Sequence, residues 1–305
     1  MSSILSKSKA AAHNGGRPPA AVELTADGVL AAALVGKTGA AMFAFEPLRP
    51  GVLIPGISEI NMTSPEAVSL AIRNALANVS PATRSVTVVV PDTAVRVFVL
   101  DFDSIPARAA EAIPVLRFRL RKMVPFDVEH AGLSYQILTE SKTDARVLVA
   151  VLPSNILDEY ETVIRGAGYE PGAVLPSALA ALATIESDEP LLAACLSRVA
   201  ITTSITRGDD LLLYRTIDLP EDPQQRLLEV QRSVAVAAAY YEDKVSVLPK
   251  ELYFAGNGTA PEFERWFGTS ELKIIDLAPR PSTGLATSLG DMSIAGLTGA
   301  LAGAM

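Results

Sequence analysis

The chain has 305 residues, 49% of them hydrophobic and 20% charged, with a formal net charge of −8. That content supports a large packed core and excludes a disordered or fibrous chain, and the length suggests two domains or one two-lobed unit. The acidic balance supplies no global positive field to gather nucleic acid, and the lone Cys195 rules out an intrachain disulfide, which fits a reducing compartment.

Residues 1–19 lack the continuous apolar core of a secretory signal and read as a flexible arm carrying His13. Val22-Glu-Leu and the run 29–35 then flank a Thr-Ala-Asp-Gly turn, and Gly36-Lys37-Thr38-Gly39 precedes 40–45, the pattern of an antiparallel meander. Gly36-Lys37-Thr38 is similar to the end of a phosphate-binding P-loop. That motif needs glycine where Ala31 stands and a helix where 40–45 reads as strand, so a hairpin turn is expected instead.

Ser64 is expected to cap a helix over 64–76, with Pro65 at its first position and Glu66 in its first turn. Strands follow at 85–90 and 95–100, joined across Pro91-Asp92-Thr93, and then a helix over about 106–123 that must tolerate Pro114. The stretches 133–138 and 146–152 read as another strand pair, 155–165 as an amphipathic helix stopped by Gly166-Ala-Gly168, and 177–185 as a further helix.

The polar cluster 186–190 marks a lobe boundary, after which 191–205 and 211–219 read as a hairpin about Arg207-Gly-Asp-Asp210. A long helix over 223–242, a strand at 251–255, a helix at 260–267, a strand at 272–276 and an apolar terminal helix complete the pattern. The apolar run 292–305 is shorter than the roughly 20 residues a spanning helix requires. Interleaved strands and helices argue for α/β layers, and strand pairs opening near Val22 and Ala194 hint at two related halves.

Conventional nucleophilic and metal chemistry is poorly supplied. His13 lies in the arm, His130 in a turn after Phe126-Asp-Val-Glu129, and no metal-ligand spacing is present. Cys195 falls in an apolar strand and reads as an inert core thiol. Arg117, Arg119, Arg121 and Lys122 cluster where they favour a helix dipole. They read either as a solvated face or as a contact for an acidic or membrane-proximal segment.

Val88-Val-Val-Pro-Asp92, the stretch 95–100, Leu116-Arg-Phe-Arg-Leu-Arg-Lys-Met-Val-Pro-Phe-Asp-Val-Glu129 and Leu133-Ser-Tyr-Gln136 occur in an order that continues downstream. It runs on through 147–153, Arg165-Gly-Ala-Gly-Tyr-Glu-Pro171, Arg215-Thr-Ile-Asp-Leu219, Glu251-Leu-Tyr-Phe-Ala-Gly256 and Ile294-Ala-Gly-Leu297. That succession resembles the PilM family, the cytoplasmic actin-like proteins of type IV pilus assembly, over about residues 20–305.

The resemblance implies an α/β, two-lobed actin-like (ribonuclease H-like) fold. Its expected parts are the arm 1–19, a first lobe 20–185 with an inserted FtsA-type subdomain at about 84–175, and a second lobe 186–305. It also implies a cleft where relatives place ATP. The implied role is a cytoplasmic scaffold, peripheral at the inner membrane through its partners. Those partners are the cytoplasmic N-terminal tail of a PilN-like membrane protein and other pilus assembly components, with no nucleic acid and only indirect membrane contact.

The nucleotide positions implied by the resemblance are degraded. Glu23 stands where Asp is expected, Thr25 replaces the glycine of the first phosphate loop, and Leu30 takes its basic position. In the second loop, Cys195 takes the Asp position and Ser197 the Gly position, while Ala255-Gly256-Asn257-Gly258 keeps the small residues of the adenosine-type segment. The expectation is a pseudo-ATPase scaffold with no catalytic or metal residues and no cofactor, MgATP being the alternative. Arg117, Arg121 and Phe126 are the expected partner-binding residues. Two other readings stay open: an active ATPase in which Glu23 substitutes for Asp, and a scaffold of type II secretion.

Overall fold

The computed structural model describes residues 16–36, 39–185, 187–268, 270–279, 286–287 and 289–304. Most of the expected arm (1–15, with His13), the Lys37-Thr38 pair and Glu186 at the expected lobe boundary lie outside the described residues.

An antiparallel meander opens the chain: β1 (Ala20–Leu24), β2 (Gly28–Val35) and β3 (Ala40–Pro47). A Cβ on Gly28 would lie 2.4 Å from the Glu46 carbonyl oxygen, so glycine is required where β2 leaves its turn. α1 (Pro65–Val79) buries Val68, Ile72, Leu76 and Val79 at helical spacing and packs on β2 and β3. Ser64 occupies the cap position, but its carbonyl rather than its hydroxyl accepts the Ala67 and Val68 N–H groups.

β4 (Ser85–Val90) returns parallel to β1, with Val22 beside Val88. Pro91 ends it, and Asp92–Ala94 forms a 3-10 turn that turns the chain out of this sheet. The strands expected at 85–90 and 95–100 are therefore not partners. β5 (Arg96–Phe102), β6 (Gly132–Glu140) and β7 (Ala145–Leu152) form their own antiparallel sheet in the order β5-β7-β6. α2 (Ala109–Leu120), between β5 and β6, buries Ala112, Leu116 and Leu120 in the core of this unit. Pro114 sits on the exposed side of α2, where the Ala110 carbonyl it leaves without a partner meets water.

α3 (Ser154–Gly166) leads back to β8 (Glu170–Pro176), a strand that the sequence pattern did not predict. Two prolines and a glycine hide it, and its edge position beside β4 tolerates them. The inserted sheet thus draws its strands from residues 96–152. β4 and β8, also within the expected 84–175 range, belong to the six-stranded sheet β14-β3-β2-β1-β4-β8.

After α4 (Ser177–Leu182), β9 (Pro190–Leu196), β10 (Ala200–Arg207), β11 (Asp210–Asp218), α5 (Pro223–Val245) and β12 (Glu251–Gly256) repeat the order of β1, β2, β3, α1 and β4. β12 runs parallel to β9 as β4 does to β1. The stretch 191–205, expected as one strand, is two, because the chain reverses at Ser197-Arg198-Val199. α6 (Ala260–Phe267) and β13 (Lys273–Asp276) complete a sheet ordered β11-β10-β9-β12-β13.

The chain end does not stay with this second sheet, as the 186–305 range would have it. β14 (Ala286–Thr287) pairs with β3, and α7 (Ala295–Ala302) packs on α4, β1, β2 and β4. A Cβ on Gly299 would lie 1.8 Å from the Ala180 carbonyl oxygen, so glycine is what lets α7 reach the α4 backbone. Among the described residues, no helix is long and apolar enough to cross a membrane.

Candidate functional site

The parallel strands β1, β4, β9 and β12 end at one cleft, the place where open α/β sheets converge on ligands. It has a cavity volume of about 80 Å³ and is lined by the turns after those strands together with residues at the starts of α4 and α7. Of the nucleotide-site residues read from the sequence, Glu23, Thr25, Ser197, Gly256 and Asn257 line it, and Gly258 lines a smaller adjoining pocket. The fold brings them together across some 230 residues of chain (23–258).

Glu23 is 6% exposed. The Ser177 hydroxyl donates to its Oε1 at 2.5 Å, while Oε2 has no hydrogen-bond partner and lies against Gly296 of α7. Burial pushes this carboxyl up to about 7, opposed by the Ser177 hydrogen bond and reinforced by the charge of Asp92. Asp92, at the end of β4, accepts from Tyr214 Oη at 2.6 Å and from the Ala178 N–H at 3.1 Å. Burial pushes it up to about 6 against those hydrogen bonds. Burial and both carboxylates hold the Cys195 thiol well above its ordinary value, so it is no nucleophile at neutral pH.

The two turns where the resemblance implied phosphate loops are closed on themselves. Thr25 Oγ1 accepts from the N–H groups of Asp27 at 3.2 Å and Gly28 at 3.1 Å and donates to the Gly28 carbonyl. Ser197 Oγ likewise accepts from Val199 at 3.3 Å and Ala200 at 3.0 Å. Backbone amides that an oxyanion would need are thus already satisfied by side-chain hydroxyls.

The turns are also joined to each other. Arg198 Nη1 donates to Asp27 Oδ1 at 3.0 Å, and Arg226 of α5 donates to the carbonyls of Arg198 at 2.6 Å and Ser197 at 2.7 Å. Among the described residues lining the cleft, Arg198 is the only cation, and Glu23, Asp27 and Asp92 are carboxylates. That donor set does not fit a triphosphate, which would meet uncompensated carboxylates in a desolvated site. Gly256 has a packing reason of its own, since a Cβ there would lie 2.6 Å from the Phe254 ring and 3.0 Å from the Leu196 carbonyl oxygen.

Asp27, Asp92, Ser177, Arg198 and Tyr214 were not singled out from the sequence as site residues. The Pro91-Asp92 step after an apolar run was a visible signal, whereas the pairing of Asp27 with Arg198 joins positions 171 apart. Arg117, Arg121 and Phe126 fall together in the inserted unit, engaged in internal contacts. Arg117 Nη2 donates to the Ala131 carbonyl at 3.1 Å, Arg121 pairs with Glu129 at 2.6 Å, and Phe126 packs half-buried on the core below α2. His130 is exposed and bonded to Asp127. Among the described residues no group of His, Cys, Asp and Glu is arranged to hold a metal.

Neither a protein-family model nor a curated protein sequence matches the chain. Among solved structures, its fold is similar to a chain of the PilM-PilN type IV pilus biogenesis complex, with a TM-score of 0.74 at 19% identity over 94% of this chain and 98% of that one. It is also similar to the cytoplasmic domain of EpsL, an inner membrane component of the type II secretion system of Vibrio cholerae. There the TM-score is 0.52 at 14% identity over 93% of each chain. A Bacteroides thetaiotaomicron protein with an actin-like ATPase fold matches at a TM-score of 0.46, 11% identity, 94% of this chain and 96% of that one. The chain therefore has the two-lobed actin-like α/β fold that the resemblance implied, and its fold neighbours include proteins of pilus and secretion assemblies.

Proposed function

We propose that this protein is a cytoplasmic scaffold of a type IV pilus inner-membrane complex, holding the N-terminal tail of a PilN-like membrane protein and binding no nucleotide. The observation that carries the nucleotide half is the pair of turns around the cleft, whose amides are bonded to Thr25 and Ser197 and which Asp27 and Arg198 tie together. The likeness to a PilM-PilN complex over nearly the whole of both chains supports the partner half.

On this reading the scaffold lies at the inner membrane through its partner, and the tail docks on the inserted unit beside Phe126 and Arg121. Calorimetric titration with a peptide of the PilN-like tail tests it. Binding that falls on Phe126→Ala and on Arg121→Glu in a folded protein supports the reading, and unchanged affinity in both removes this docking face. The EpsL likeness favours a second reading, a type II secretion scaffold, which the corresponding secretion tail distinguishes in the same titration.

The unpartnered Oε2 of Glu23, a residue that lines the cleft, favours the rival ATPase. Heat on MgATP titration together with magnesium-dependent phosphate release, both disappearing in Glu23→Ala, establishes the rival. Absence of heat with folded protein supports the scaffold.

A further inference from the structure

α2 and its flanks carry a second surface that the proposed scaffold does not use. Of the five cations in the segment 106–125, Arg108 pairs with Glu111, Arg121 pairs with Glu129 and Arg117 donates to the Ala131 carbonyl. That leaves the exposed Arg119 and Lys122 outside any ion pair among the described residues. While Ala112, Leu116 and Leu120 face the core, the opposite side of the helix presents Val115, Phe118, Arg119 and Lys122 at spacings of three and four residues. Phe118 is 75% exposed, more than any other large hydrophobic side chain among the described residues, and Met123 extends the apolar patch just beyond the helix.

We infer that this face rests directly on an anionic lipid surface. A solvated structural face explains the cations but not a phenylalanine set among them, since an aromatic ring held in water gains nothing from a helix dipole. The outer side of a helix is convex and suits a plane better than it suits an extended peptide. Its ring and aliphatic side chains reach the acyl boundary while neighbouring guanidinium and ammonium groups meet phosphate. The acidic remainder of the chain is repelled by the same surface, so attraction confined to α2 fixes how the molecule faces the bilayer. This contact is independent of the partner tail, whose proposed residues Arg121 and Phe126 are not those at its centre.

Flotation of the full chain with vesicles tests it, using phosphatidylcholine alone and phosphatidylcholine mixed one to one with phosphatidylglycerol. The expected result is about 25-fold stronger binding to the mixed vesicles at low salt, since Arg119 and Lys122 are each worth roughly a fivefold factor near an anionic surface, weakening as salt screens the charges. Arg119→Glu with Lys122→Glu is expected to bring binding to the phosphatidylcholine level. Phe118→Ser is expected to lower it several-fold at unchanged net charge. As a control, Arg232→Glu with Lys273→Glu makes the same change in total charge at exposed positions outside α2 and is expected to leave binding intact. Equal loss in the control, insensitivity to the α2 substitutions, or no preference for the anionic vesicles overturns the inference. The last outcome, with a soluble acidic peptide bound instead, reassigns the face to a protein.

Discussion

Replacing Glu23 with glutamine separates the electrostatic cost of the cleft from its packing. The carboxyl has an ordinary value of 4.5 and is pushed up to about 7, so the folded protein holds a proton between those pH values that the unfolded chain has released. Folded-state excess of protons means that stability falls as pH rises through this window and is level above it. At about 1.4 kcal/mol per pH unit, the cost of ionising Glu23 approaches about 3 kcal/mol by pH 8. Glutamine is isosteric, keeps an oxygen for the Ser177 hydroxyl, and leaves only one unpartnered polar atom where Oε2 already has none. Urea unfolding of both proteins across pH 4.5 to 8.5 reads the difference. The variant is expected to match the parent near pH 5 and to exceed it by about 2–3 kcal/mol at pH 8. Parallel curves for the two proteins would show that Glu23 is not the buried acid described, and the account of an acidic, desolvated cleft would fall with it.

Arg198→Ala removes the bridge between the β1–β2 and β9–β10 turns, a half-exposed pair worth about 0.5–1 kcal/mol. Amide exchange is expected to quicken by roughly two- to fivefold at residues 25–28 and 197–200 and to stay unchanged in α6; MgATP should still not bind, because Thr25 and Ser197 keep their turns closed. Tyr214→Phe takes a donor from Asp92 and is expected to cost about 1.5–3 kcal/mol at pH 8, and less below pH 6 where Asp92 carries a proton, by the same unfolding assay. Gly299→Ala drives a methyl into the Ala180 carbonyl and is expected to lower the melting temperature by several degrees, at about 2–4 °C per kcal/mol; an unchanged melt refutes the close α4–α7 contact.

Much of the local structure was legible because it is written in short-range pattern. The apolar runs and turn residues of β1 to β3, the Pro65 start of α1, and the long amphipathic α5 each rest on neighbours within a turn or two. β8 was missed because prolines and glycine are strand breakers everywhere except at an edge, and edge status is a property of the sheet. The reversal at Ser197-Arg198-Val199 was missed for a related reason. A single serine turn inside a long apolar run leaves no cluster of turn residues to mark it.

The sequence by itself determined the α/β layering and most helix positions, because periodicity and capping act within a few residues, whereas the two-lobed fold and the nucleotide positions were what its resemblance to the PilM family implied. The tertiary structure alone decided that α7 returns to the first sheet, that Asp27 meets Arg198, and that Tyr214 meets Asp92. Those contacts join residues more than 100 apart, and their energies depend on desolvation, which exists only once the lobes have closed around the cleft. Thr25 and Ser197 show the division within single residues. The resemblance implied that each replaces a glycine, and only the folded turns show that each hydroxyl takes up two backbone amides of its own turn.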